Sequence, residues 1–158
     1  MAKTLVSNII VAVSGSAASL LAAKYAIIMA KQNKCRLCAV NVIDTDTINR
    51  LFAEKIFVED EAADYERCIK ENGGRNLAFV KELAAAKGLK IETELRCGSI
   101  FAEISNAAAE RNADLIILGG WKKGDSRLSS IHHEIILRAD CSVLVMKDHE
   151  TDLKYRRL

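Results

Sequence analysis

Ser14-Gly15-Ser16 follows a short apolar run, Ile9 to Val13, and Gly119-Gly120 follows another, Leu115 to Leu118. Small residues directly after buried strands let a ligand approach the backbone, and the helix N-termini beyond them present unpaired N–H groups to phosphate. The chemistry this pattern suits is nucleotide or anion binding in a crevice at the strand ends. Val42, near the end of a further apolar run, would border that crevice, and Gly124, Ser129 and Ser130 belong to the segment after Gly120. Neither strict phosphate-loop signature is present, since the chain has no GxxxxGK[ST] and no GxGxxG after its first apolar run. Glycine at the end of a parallel strand also has purely structural uses.

Other reactive residues are less suggestive. Cys35-Arg36-Leu37-Cys38 has the CxxC form. It lies, however, in a run that reads as a strand, where residues three apart point to opposite faces. A redox CxxC normally sits at a helix N-terminus, so these thiols are expected to be structural. His132 and His133 are adjacent, and neighbouring helical residues point about 100° apart, which gives no shared metal face. They are expected at a surface or interface. Ser14 and Ser16 lack the GxSxG context of a nucleophilic serine, and no histidine is identifiable as their base. No catalytic residue and no metal site are expected.

The positioning elements follow from periodicity. Ile9 to Val13, Leu37 to Ile43, Leu115 to Leu118 and Ser142 to Met146 are continuous apolar runs, as in parallel strands covered on both faces. Lys90 to Arg96 alternates polar and apolar residues, which predicts a half-exposed strand at the sheet edge. Between them, Leu20, Ala23, Ile27 and Ala30 repeat at helical spacing behind a cap at Ser16. Leu77, Val80, Leu83 and Ala84 mark a second helix, interrupted at Gly73-Gly74 and ended near Gly88. Ser99 starts a third helix, and Ser130 to Arg138 forms a fourth. Thr45 to Asn49 reads as a polar stretch, followed by a mixed segment. The order βαβαβαβαβ predicts an α/β fold, a doubly wound five-stranded parallel sheet with helices on both faces.

With 158 residues, half of them hydrophobic, the chain is expected to be one domain over 1–147 with a charged C-terminal tail over 148–158. The tail's Lys154-Tyr155-Arg156-Arg157 is the one basic cluster and is expected to be solvated. A net charge of +2 with interspersed signs argues against a nucleic-acid-binding stripe. No apolar run reaches the roughly 20 residues that span a bilayer, so no membrane association and a cytoplasmic location are expected. Five scattered cysteines read as reduced thiols.

Asn8 to Ser16, Ala39 to Asp44, Gly98 to Gly119 and Leu137 to Met146 together resemble the universal stress protein family, in order and over nearly the whole chain. The resemblance implies the Rossmann-like sandwich of adenine-nucleotide α-hydrolase-like proteins. It also implies a homodimer paired through the last strand, Ser142 to Met146. Family members that bind ATP carry an acidic residue where Ser14 stands. They also carry a GxxG loop, then Gly-Ser or Gly-Thr, where this chain has Lys122 and Lys123 at the second glycine and Ser129-Ser130 arriving early. Gly124 is a displaced substitute for that glycine, and Lys122, Lys123 and Arg127 add positive charge. Trp121 is placed either to cover a ligand or to fill the crevice.

The expected function is therefore a non-catalytic stress-response or regulatory protein, acting as a dimer. Its degenerate site of Ser14, Gly15, Val42, Gly119, Gly120, Gly124, Ser129 and Ser130 would bind ATP weakly or not at all. The alternative is a switch that binds ATP or AMP through an altered phosphate loop and hydrolyses it slowly at most. An enzyme of the wider α-hydrolase-like group ranks below both, because the phosphate loop after the first strand is missing.

Overall fold

The computed structural model describes residues 4–55, 59–120, 129–147 and 150–158. The expected runs are strands: β1 (Asn8–Ala12), β2 (Arg36–Asp44), β3 (Glu92–Gly98), β4 (Leu115–Gly119) and β5 (Ser142–Met146). All pair in parallel, in the order β3-β2-β1-β4-β5. The sheet grows outward from β1 in both directions, so it is doubly wound and the winding reverses between β1 and β4. The uninterrupted apolar strands β1 and β4 are central, and the alternating β3 is at an edge.

Among the described residues the connections form six helices: α1 (Ala17–Asn33), α2 (Thr45–Ala53), α3 (Glu59–Ala85), α4 (Ile100–Glu110), α5 (Ser130–Arg138) and α6 (Thr151–Arg156). One core joins α1, α3 and α6 to the sheet through residues such as Val11, Ile27, Leu37, Val80 and Tyr155. The other joins α4 and α5 to the opposite face through Ile10, Val40, Ile104, Ile116 and Ile135. Among the described residues no helix is long and apolar enough to cross a membrane.

Three expectations are corrected. α3 runs unbroken through Gly73-Gly74. A Cβ on Gly73 would stand 3.0 Å from Leu95 Cδ1 and 3.1 Å from Asn41 Oδ1, so glycine there lets the helix settle onto β2 and β3. The polar stretch after β2 is the helix α2. Asp44 caps it by accepting from the Thr47 N–H at 3.0 Å, and buried Ile48 anchors it. Finally, the charged terminus is not simply solvated, because α6 docks on its own chain and buries Thr151 and Tyr155.

The CxxC thiols diverge, Cys35 just before β2 into one core and Cys38 on β2 into the other. Burial raises the Cys35 thiol and pushes Cys38 up to about 11, so neither forms thiolate readily. Cys68 and Cys97 are exposed. Iodoacetamide at pH 8 should therefore label Cys68 and Cys97 first, with Cys35 and Cys38 reacting only on unfolding. Peptide mapping showing early modification of Cys38 would contradict this assignment.

At the β3 edge, Arg96 bonds Glu103 of α4 at 2.8 Å and Glu110 at 2.9 Å, with Glu94 beside them, and Arg111 bridges Glu94 and Glu92. The arginines hold the Glu110 and Glu92 carboxyls below their ordinary range. Charged side chains also blunt this edge against strand addition. The network ties α4 to the sheet, and α4 supplies one wall of the crevice described next.

Candidate functional site

β1 gives way to a turn closed by serines. Ser16 caps α1 by accepting from the Ser19 N–H at 3.1 Å, and the Ser14 N–H donates to Ser19 Oγ at 2.8 Å. The Ser14 and Ser16 hydroxyls lie 3.1 Å apart. Gly15 has φ +80°, and a Cβ there would stand 2.6 Å from Asn76 Nδ2. The turn thus presents hydroxyls and no carboxylate.

β4 ends at Gly119, where a Cβ would come within 2.9 Å of the Ala18 carbonyl carbon. At Gly120 it would lie 1.9 Å from the Met146 carbonyl oxygen. Both glycines are therefore demanded by the chain's own backbone, α1 on one side and β5 on the other. This is the structural use that glycine has at the end of a parallel strand, and both residues also line the crevice described below.

The third component is the start of α5. Ser129 Oγ accepts from the His132 N–H at 3.2 Å, and the Ser129 N–H donates to His132 Nδ1 at 3.2 Å, a reciprocal cap. Nδ1 is then the acceptor of the imidazole, which leaves the proton on Nε2. Nε2–H donates to the Gly119 carbonyl at 2.7 Å. Ser129 Oγ also lies 2.7 Å from Nδ1, and the ring joins the end of β4 to the start of α5. Arg138, stacked 4.6 Å from the Phe101 ring centroid, holds the far end of α5 on α4.

These parts enclose a crevice of about 250 Å³ at the C-terminal ends of β1 and β4. Its walls are largely aliphatic, with Val40 and Val42 from β2, Ile100 and Ile104 from α4, and Ile131 and Ile135 from α5. Ser14, Val42, Gly119, Gly120 and Ser129 line it, whereas Gly15 and Ser130 flank it without lining it. Gly124, Trp121, Lys122, Lys123 and Arg127 lie outside the described residues. His132 lines the crevice and was missed as a site residue. The signal was its position three residues after the capping Ser129, where a glutamate or glutamine is the usual partner.

The Universal stress protein family model matches residues 6–147. The chain belongs to the universal stress protein family. A universal stress protein of Methanocaldococcus jannaschii is 35% identical over 148 residues, covering 92% of this chain and 84% of that one. Among solved structures, a universal stress protein from Burkholderia pseudomallei superposes with a TM-score of 0.73 at 22% identity, covering 93% of this chain and 100% of its own. Another, from Archaeoglobus fulgidus and solved in complex with dAMP, gives 0.65 at 18% identity over 91% and 100%. At those identities the structures show the shared fold. The family match ends at residue 147, so in this universal stress protein α6 lies beyond the matched segment.

The Ser129 and His132 N–H groups already have partners on their own helix, and Ser14 supplies no acid to grip a nucleoside.

Proposed function

We propose that this universal stress protein is a non-catalytic, cytoplasmic regulator that works as a homodimer and binds ATP weakly or not at all. The observation that carries this reading is the imidazole of His132, which fills hydrogen-bonding positions at the start of α5 where a phosphate would otherwise be held. Ser14 at the end of β1 supports it, because a hydroxyl cannot replace a carboxylate as a two-acceptor contact to a nucleoside.

Dimerisation is supported by the other edge of the sheet. β5 pairs with β4 on one side, and Val143, Leu144 and Val145 are half-buried in the single chain. Ile136 and Leu137 of the neighbouring α5 are exposed, Leu137 at 78%. An apolar edge strand beside exposed aliphatic side chains is stabilised by pairing with a second copy.

A second reading, an AMP- or ATP-binding switch, is favoured by one specific fact: a relative of the same fold was solved with dAMP. Denaturing freshly purified protein and identifying released nucleotide by mass spectrometry separates the two. Calorimetric titration of the stripped protein with ATP completes the test. The expected result is no stoichiometric nucleotide and a flat titration to millimolar ATP, with light scattering giving the dimer mass. Bound AMP or ATP, or micromolar affinity, would put the switch first. A monomer at micromolar concentration would remove the dimer.

A further inference from the structure

We propose that His132 selects the ligand class of this crevice: it stands in place of an anion at the start of α5 and favours neutral ligands over phosphate-bearing ones. The proposal rests on reading the crevice as a degenerate nucleotide site, and it names the residue that makes it so.

Three observations converge on the ring. Its Nδ1 lone pair accepts the Ser129 N–H, a donor that a phosphate oxygen would otherwise take. Its Nε2–H covers the Gly119 carbonyl oxygen, so the imidazole spans the gap between β4 and α5 at 2.7 Å. Among the described residues that line the crevice, His132 is the sole titratable side chain, and the other walls are aliphatic, hydroxyl or glycine. Both ring nitrogens are taken up, Nδ1 by Ser129 and Nε2 by the Gly119 carbonyl, so the imidazole turns no free N–H donor to an anion in the crevice. The volume of about 250 Å³ lies just under the range of about 300–1,000 Å³ typical of small-molecule sites. The class that fits is a small, flat, neutral molecule with an apolar face, which the Ser14 and Ser16 hydroxyls could orient from one rim.

Removing the ring removes the internal stand-in. In His132→Ala and His132→Ser the Ser129 N–H and the gap beside Gly119 become available to a phosphate oxygen. In His132→Gln an amide oxygen can still close the reciprocal cap, because glutamine is an ordinary residue at that position. The two small substitutions should therefore gain phosphate binding, and glutamine should not.

The test uses adenosine and AMP, the same ring system with and without a phosphate, titrated calorimetrically into the full chain and the three variants. Circular dichroism reports whether each variant is folded, and having two small variants guards against loss of either. The expected result is an AMP-to-adenosine affinity ratio raised by about tenfold or more in His132→Ala or His132→Ser, and a wild-type ratio in His132→Gln. An unchanged ratio in both small variants overturns the proposal. So does an equal gain for adenosine, which would mean simple steric opening, or a gain in His132→Gln matching that in His132→Ala. Absence of binding to every variant also overturns it. Micromolar ATP binding by the unaltered protein, with the AMP ratio still rising in His132→Ala, would instead sink the weak-binding reading and support the selector.

Discussion

Gly120→Ala is expected to lower the melting temperature by about 6–12 °C, the largest loss from a single methyl group added to any described glycine. The new Cβ would lie 1.9 Å from the Met146 carbonyl oxygen and 3.0 Å from its carbon. Both atoms are backbone, and Met146 is itself a buried core residue facing Gly119 in the β4–β5 register. No rotamer change can relieve the contact, so the end of β5 must move. Overpacking costs about 1–3 kcal/mol when neighbours can shift, and a rigid backbone neighbour puts this case near the top, at about 3 kcal/mol. For a domain of this size each kcal/mol is about 2–4 °C. Gly119→Ala, at 2.9 Å from the Ala18 carbonyl carbon, should cost roughly half as much. Gly74 is the internal control, since nothing lies within 4 Å of its added Cβ inside α3. Gly74→Ala should stabilise by about 0.5 kcal/mol through helix propensity. Thermal unfolding followed by circular dichroism reads all three, and a Gly120→Ala melt within about 2 °C of the unaltered protein would refute the packing argument.

This result would also change how the glycine pair is interpreted. Lost nucleotide binding in a Gly119 or Gly120 variant could not be taken as a lost phosphate contact, because the fold itself requires both residues. His132 is the more informative position for ligand chemistry, since its side chain faces the crevice and holds the α5 cap and the Gly119 carbonyl without packing in either core.

Local pattern made the sheet legible. Ile9 to Val13 and Leu115 to Leu118 are apolar without interruption because β1 and β4 are buried on both faces, and Lys90 to Arg96 alternates because β3 is at an edge. The cap at Ser16 was equally local, being a serine directly before a helical period, whereas Ser129 was not read as a cap. What escaped the sequence depends on partners distant in the chain. Gly73 looked like a helix breaker because Asn41 and Leu95, which explain it, are more than twenty residues away on β2 and β3. α2 escaped because its one buried anchor, Ile48, is too little to set a period, and its capping Asp44 is also the last residue of a strand. At the site, Ser14 and Val42 line the crevice near strand ends, but the bridge from His132 to Gly119 spans thirteen residues and an unusual cap.

Tyr155→Ala should destabilise the protein by about 3 kcal/mol, or roughly 6–12 °C, because α6 fastens α1 to α3 through this one ring. The side chain is 8% exposed and belongs to the core shared by α1, α3 and the sheet. Its hydroxyl donates to the Leu83 carbonyl at 2.6 Å, near the end of α3, and burial raises its pKa. The ammonium groups of Lys87 and Lys24 lie 4.7 Å and 5.5 Å from the ring centroid, and Lys24 also pairs with Asp152 at 2.5 Å. The ring therefore combines apolar burial, a hydrogen bond to a helix-end carbonyl and two cation contacts. Tyr155→Phe separates them: the ring and its cation contacts remain while the hydroxyl is lost, at a cost of about 1 kcal/mol. Truncation after Lys147 should cost at least as much as Tyr155→Ala, since it also uncovers Tyr25, Ile28 and Met29 of α1, which border α6. Equal melting temperatures for the full and truncated chains would show that residues 148–158 are a solvated tail after all. A drop confined to the truncated chain, with Tyr155→Ala unaffected, would move the anchor to Thr151 or Leu158. The expected pattern, alanine and truncation together and phenylalanine well above them, would make α6 a structural part of the domain beyond the family's matched segment.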